Sequence, residues 1–216
     1  MLKFPTTKAP ATHSAVALAN EFIALGQDHR IPDLNPPKLH DLIYLAHGWH
    51  LGIEGVPMVT GNLYAWRDGV FAPSLREAGC WGSKLFDGFV HIIQMDDARG
   101  LMVEQTPRVP PKDGAHRTIQ AAWKLYGRLP PFDLSRVCKE AGAPWDLIWN
   151  DEERPNDEPK LIPNATLKIW FKELAAKRRS RTQLGITDTL RFHPTVGLDA
   201  TQPMLERPDP DRLRSI

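Results

Sequence analysis

Cysteine and long apolar runs are scarce in this sequence. Its 216 residues include only two cysteines, Cys80 and Cys138, which is too few for a disulfide scaffold. No segment approaches the roughly 20 apolar residues of a transmembrane helix, and the first residues lack the apolar core of a signal peptide. We therefore expect a cytoplasmic protein with reduced thiols and no membrane association.

An excess of charge of one sign is also missing. The chain has 27 lysines and arginines against 26 aspartates and glutamates, a formal net charge of +1. Electrostatic binding of nucleic acid or of an anionic membrane over the whole protein surface requires an excess of positive charge. The composition therefore argues against both classes of partner. One basic run, KRRSR at residues 177–181, leaves a DNA-binding transcriptional regulator as an alternative.

Sequence signatures of catalysis and of nucleotide binding are absent as well. The sequence has no G-x-S-x-G elbow, no HExxH pair and neither of the glycine-rich phosphate loops. His47 and His50 share a helical face, but zinc needs at least three protein ligands and no C-x-x-C pair supplies the others. We expect no enzyme, no cofactor and no metal site. The alternative is a metal-dependent enzyme that uses the His47/His50 pair, with Cys80 nearby.

Helical periodicity interrupted by proline and glycine predicts the organisation of the chain. We expect a mainly helical α+β fold, a compact helical domain with a small antiparallel β element, over residues 14–181. A polar N-terminal arm, residues 1–13, precedes it, and a polar proline-containing tail, residues 182–216, follows it. Capping residues and prolines predict helix starts near Ser14, Asn35, Pro73, Thr118, Phe132, Pro144 and Asn164.

Short β segments interrupt the helices in two places. Residues 63–66 are too short for a helix and are predicted to form a strand, which ends at an Asp68-Gly69 turn. Residues 89–95 and 101–105 are separated by a polar turn at residues 96–100. This arrangement predicts a β-hairpin.

The helix that begins at Asn35 is expected to pack through one side. Its predicted inward face consists of Leu39, Leu42, Ile43, Ala46, Trp49 and Ile53. Polar residues predicted to lie away from that face or at its edge are His40, Asp41, His47 and Glu54. Gly48 inside the helix costs about 1 kcal/mol relative to alanine, which a close approach of another backbone would offset.

Tryptophan is unusually abundant, with seven residues in the chain. Trp49, Trp123 and Trp170 lie on apolar helical faces and are predicted to be core residues. Other tryptophans lie beside turns or on mixed faces, namely Trp66, Trp81 and Trp149. Tryptophan and arginine dominate the binding energy of protein interfaces, so the turn-associated tryptophans are candidates for a contact surface.

The order of these blocks resembles the Panacea (SocA-like antitoxin) domain family. The resemblance rests on ALANEFI at residues 17–23, on YLAHGWHL at residues 44–51 and on AWRDGVFAPSL at residues 65–75. Weaker matches follow at residues 123–127, 134–135, 144–145 and 170–171. The similarity covers residues 14–176, and its most specific part is the pairing of the second and third motifs.

The resemblance implies an antitoxin that binds and neutralises a cognate protein toxin of a bacterium or prophage. Some members of the family act as adaptors that deliver the toxin to a ClpXP-type protease. The chain departs from the family pattern at Val70, where the family has proline, and at Arg76, where it has tyrosine. These two positions are expected to encode the choice of partner. From their turn context and residue types, the predicted partner-binding residues are Trp66, Arg67, Asp68, Phe71, Arg76 and Trp81.

Overall fold

The computed structural model describes residues 12–82, 85–86, 88–151 and 157–183. Most of the predicted arm and nearly all of the predicted tail lie outside these residues. The helices are α1 (Ala15–Asp28), α2 (Pro36–Glu54), α3 (Pro73–Glu77), α4 (Ala115–Tyr126), α5 (Pro131–Cys138), α6 (Pro144–Trp149) and α7 (Asn164–Gln183). The strands are β1 (Leu63–Trp66), β2 (Gly69–Phe71), β3 (Ile92–Asp96), β4 (Leu101–Gln105) and β5 (Lys160–Ile162). The predicted mainly helical α+β fold is confirmed.

Helix α2 forms the centre of the domain. Asn35 caps it by accepting a hydrogen bond from the backbone N–H of Lys38 at 3.0 Å, and Gly55 ends it in the left-handed conformation at φ 77°. Helices α1, α4, α5 and α7 all pack against α2. In the described part of the chain, no helix has both the length and the apolar composition to cross a membrane.

The burial of α2 corrects the prediction of a single inward face. His40, Asp41 and His47 are only 7%, 3% and 1% exposed, although they were predicted to lie away from the inward face or at its edge. Ile53, predicted to point inward, is 64% exposed. The prediction failed because neighbouring elements enclose the helix on several sides, and one of those sides is polar.

Helix α7 crosses α2 at two glycines. A Cβ atom on Gly48 would lie 2.1 Å from Phe171 Cε2, and one on Gly52 would lie 2.7 Å from the backbone carbonyl carbon of Phe171. The ring of Phe171 fills this space and meets Trp49 edge-on, with the ring centroids 5.4 Å apart. The close approach expected at Gly48 is therefore present. Trp170 beside it, predicted as a core residue, packs against the core but is only partly buried.

The three-stranded sheet has the order β2-β1-β5, and both pairings are antiparallel. Tyr64 lies opposite Phe71 in β2 and opposite Leu161 in β5. Alternation along each strand therefore directs one set of side chains towards the helices and the other outward. The inner set is buried and consists of Leu63, Ala65, Val70 and Ile162. Sequence reasoning missed both β2 and β5, which are strands of three residues each.

Candidate partner-binding surface

The outer side of this sheet carries aromatic side chains in mutual contact. The rings of Tyr64 and Phe71 stack with their centroids 5.7 Å apart, and Trp66 meets Phe71 edge-on at 6.0 Å. Leu161 extends the patch and is 46% exposed. We call these four residues the aromatic face. Tyr64 was not predicted here, although it lies two residues before Trp66 and strand alternation alone places both on one side.

Two arginines lie over the aromatic face. The guanidinium carbon of Arg67 is 5.4 Å from the centroid of the Trp66 ring, and that of Arg76 is 5.3 Å from it. Arg76 also lies 5.9 Å from the centroid of Phe71. These distances are within the range of cation–π attraction. Such contact orders the long side chains while their N–H groups can still donate to a carboxylate.

The turn between β1 and β2 is held by groups from a distant part of the chain. The carbonyl oxygen of Trp66 accepts a hydrogen bond from Trp145 Nε1 at 3.1 Å, and that of Arg67 accepts one from Lys139 Nζ at 3.4 Å. The indole Nε1 of Trp66 donates to the carbonyl oxygen of Asp157 at 3.0 Å. The turn is therefore tied to three separate segments. Sequence reasoning noted Pro144-Trp145 but had no means of placing it here.

The structure joins five of the six predicted partner-binding residues. Asp68 lies next to the cluster of Trp66, Arg67, Phe71 and Arg76, with its carboxylate 3.9 Å from Arg67 Nε. Trp81 follows α3 and is 71% exposed. The contacts that connect the other five do not include it. Trp81 is thus an exposed aromatic residue whose place in the surface still rests on the sequence prediction.

Buried histidines of α2 fix the segments that lead to and from this surface. His40 Nδ1 accepts a hydrogen bond from the backbone N–H of Ala72 at 3.2 Å, and its Nε2 donates to the carbonyl oxygen of Cys80 at 3.2 Å. Burial lowers the pKa of His40 to about 4, so the neutral ring persists at physiological pH. It thereby connects α2 to the residue that precedes α3 and to the segment that follows it, and α3 is the helix that carries Arg76.

The predicted edge position of His47 is wrong, because both nitrogens of this buried ring are engaged. Its Nδ1 accepts from the backbone N–H groups of Met58 and Val59 at 3.3 and 3.2 Å, and its Nε2 donates to Asn164 Oδ1 at 2.9 Å. His50 instead contacts Thr118 Oγ1 at 3.0 Å. In the residues that the structure describes, no group of three potential ligands could hold a metal ion. The two histidines have separate partners, which removes the premise of a shared metal.

Cys80 has the environment of an inert thiol. It is 2% exposed. Burial raises the pKa of the thiol to about 11. A reactive cysteine requires a stabilised thiolate. The properties of Cys80 therefore do not support its use as a nucleophile in the alternative of a metal-dependent enzyme.

The chain resembles one characterised antitoxin over most of its length. It is 30% identical over 147 residues to antitoxin SocA of Caulobacter vibrioides (strain NA1000 / CB15N), and the match covers 68% of this chain and 76% of that protein. The chain belongs to the SocA-like antitoxin family. No protein-family model matches the sequence, and no solved structure matches it.

The two departures expected to encode partner choice in this SocA-like chain have different structural settings. Arg76 is exposed and lies on the aromatic face. Val70 is 5% exposed and lies opposite Ala65 on the inner side of the sheet. Val70 can therefore affect partner choice only through the shape of the sheet and its turn, whereas Arg76 is placed where a partner could reach it.

A buried carboxyl group lies beneath the same turn. Asp41 is 3% exposed, and a Cβ atom on Gly69 would lie 3.9 Å from Asp41 Oδ1. Burial raises the pKa of Asp41 to about 7, although the Cys138 thiol and the Lys139 ammonium act in the opposite direction. The β1–β2 turn therefore lies close to the Asp41 carboxyl group, whose pKa is near neutral.

Proposed function

We propose that this protein is the antitoxin of a bacterial or prophage toxin–antitoxin pair, and that it binds and neutralises a cognate protein toxin without catalysis. Two lines of argument support the proposal. The chain shares 30% identity with antitoxin SocA over 68% of its length. It also presents Trp66 with Arg67 and Arg76 over its ring, at 5.4 and 5.3 Å, on a tethered turn. The second observation carries the site assignment.

The aromatic face has the physical properties of an interface centre. Tryptophan and arginine contribute disproportionately to binding energy because they remove much surface from water and still form directed polar contacts. The three tethers of the turn reduce the conformational entropy that binding would otherwise cost. A toxin surface that combines an apolar patch with carboxylates would match this arrangement.

Neutralisation can follow binding in two ways. The toxin's working surface is covered directly, or the bound toxin is delivered to a ClpXP-type protease. Both routes begin with the same contact, so the aromatic face is the part of the mechanism that we assign to this chain. The half-life of the toxin in cells with and without the protease distinguishes the routes. A protease-independent half-life together with full protection indicates direct occlusion.

The test is co-expression with the product of the neighbouring gene, followed by co-purification. Trp66→Ala and Arg76→Glu are expected to reduce both toxin capture and growth rescue. Ile169→Ala is the matched control, because Ile169 is a large apolar residue that is 62% exposed on α7. Trp81→Ala reports whether that residue belongs to the surface. If Trp66→Ala folds normally and still captures and neutralises the toxin, the aromatic face is not the binding site.

A further inference from the structure

The β3–β4 hairpin exposes large apolar side chains. Ile93, Met95 and Met102 are 71%, 51% and 62% exposed. Met95 lies directly opposite Met102, and Ile93 lies two residues before Met95, so all three share one side of the hairpin. Within the described ranges, no third strand pairs with β3 or β4. The described residues therefore provide no element that covers this side of the hairpin. An isolated two-stranded sheet is marginally stable in water.

The base of the hairpin is fixed to the domain. Asn20 in α1 is completely buried, and its Nδ2 donates to the carbonyl oxygens of Val90 and Pro107, both at 2.9 Å. Its Oδ1 accepts from the backbone N–H of Val90 at 2.8 Å. The side-chain amide of Asn20 therefore connects the segment that precedes β3 to the segment that follows β4. The hairpin extends from a fixed base.

The outer edge of β3 carries none of the features that normally prevent strand pairing. Proteins protect free edges with lysine, proline, bulges or inward-pointing charges. The sequence of β3 is IIQMD, which has no proline, glycine or lysine and a single charge at its end. Its paired neighbour β4, LMVEQ, carries Glu104 within the strand. Of the two edges, β3 is the one suited to accept another strand.

We propose that β3 pairs antiparallel with β3 of a second copy of this chain, which gives a four-stranded sheet across a twofold axis at Gln94. In this register Ile93 lies opposite Met95 of the partner subunit, and Asp96 lies opposite Ile92 of the partner subunit. Two of the five cross-strand pairs, those between Ile93 and Met95, are therefore apolar, and the two Asp96 carboxylates lie at opposite ends of the shared edge. A twofold pairing through β4 would instead be centred on Val103 and would set Met102 against Glu104 of the partner subunit. In the β4 register the only apolar pair is Val103 with Val103 of the partner subunit, so the matching of apolar side chains favours β3. The proposal is independent of toxin binding.

A disulfide at the twofold axis tests the register. Residues directly opposite in an antiparallel pair have Cα atoms about 4.5–5.5 Å apart, which suits a disulfide. Gln94→Cys in the full chain is expected to form a covalent dimer under mild oxidation. Val103→Cys is the matched control, because it occupies the corresponding centre of β4. Cys80 and Cys138 are buried and contribute little background. Cross-linking of Val103→Cys but not Gln94→Cys overturns the assignment to β3.

Analytical ultracentrifugation of the uncross-linked protein supplies the second measurement. The unmodified chain is expected to show a concentration-dependent dimer, and Ile93→Lys is expected to weaken it by about tenfold or more, since the twofold axis places the change in two cross-strand pairs. Circular dichroism checks that the variant keeps its fold. A monomer at every concentration overturns the proposal, and so does a dimer that Ile93→Lys leaves unchanged. If the chain is monomeric and Ile93→Lys weakens toxin capture, the edge accepts a strand of the toxin and self-pairing is wrong.

Discussion

Gly48 of α2 lies against the ring of Phe171 of α7, so close that a Cβ atom on Gly48 would be 2.1 Å from Phe171 Cε2. We predict that Gly48→Ala destabilises the protein by roughly 2 kcal/mol, because overpacking outweighs the better helix propensity of alanine. Urea denaturation followed by tryptophan fluorescence measures the change. Gly114→Ala is the control, since no atom lies within 4 Å of its added Cβ. Equal effects of the two substitutions would contradict this explanation.

Asp41 is predicted to make the protein less stable as the pH rises. Its pKa is raised from an ordinary value of 3.8 to about 7 in the folded state. The folded chain therefore binds more protons than the unfolded chain between these values, and this contribution to stability is lost as the pH rises through about 7. Asp41→Asn removes the effect. The free energy of unfolding of the variant relative to the parent should increase from pH 5 to pH 8, by an amount of the order of a few kcal/mol at most.

The buried histidines act in the opposite direction. The pKa of His40 falls from 6.5 to about 4 on folding, so the unfolded chain binds more protons between these values. This contribution to stability is present above pH 6.5 and is lost as the pH falls through about 4. Asp41 must therefore be measured by comparing Asp41→Asn with its parent at each pH. A difference in unfolding free energy that stays constant with pH would contradict the raised pKa of Asp41.

Charge on the aromatic face is predicted to control the rate of toxin association. Arg67→Glu combined with Arg76→Glu should lower the association rate constant by about tenfold at low salt, because opposite charges steer encounters. The difference between variant and parent should shrink as salt screens it. Surface plasmon resonance at several ionic strengths provides the rates. Arg99→Glu, at the exposed turn of the β3–β4 hairpin, is the charge-matched control for the single variant Arg76→Glu, because each changes the net charge by −2. If both charge reversals have the same effect, only net charge matters.

Asn20 is predicted to be essential for the attachment of the hairpin. Asn20→Asp keeps an acceptor for the Val90 N–H but loses the donors to the carbonyl oxygens of Val90 and Pro107. Each buried group left without a partner costs about 1–3 kcal/mol. Hydrogen exchange in residues 92–105 should accelerate more than exchange in α2. Uniform acceleration across the whole domain would show that Asn20 stabilises the core in general and does not act at the hairpin.

Local signals in the sequence predicted most elements, because capping residues and prolines act over a few positions. Asn35 with its prolines marked α2, and the alternating residues around a polar turn marked the hairpin. Long-range contacts were the source of the errors. Strand β5 forms because residues 160–162 pair with β1, about 100 positions earlier in the chain. His40 and His47 appeared to be edge residues because periodicity counts apolar side chains and cannot detect buried hydrogen-bonding partners.

The candidate surface was predicted for the same local reasons and missed residues for the same long-range ones. Trp66, Phe71 and Arg76 lie within eleven consecutive residues around one turn. Two residues hold that turn: Lys139, which directly follows α5, and Trp145, which lies in α6. Their role depends on how those helices pack against the sheet, and no local pattern encodes it.

The position of α7 has a consequence for synthesis. Helix α2 ends at Glu54, whereas α7, which covers it, begins at Asn164, so α2 leaves the ribosome long before its cover exists. During that interval Gly48 and Gly52 of α2 lack the Phe171 contact, and the ring of His47 lacks its hydrogen bond to Asn164. Chains whose translation stops before α7 would expose this surface to cellular proteases, as incomplete domains do. The supply of working protein would then depend on completed translation as well as on the rate of initiation.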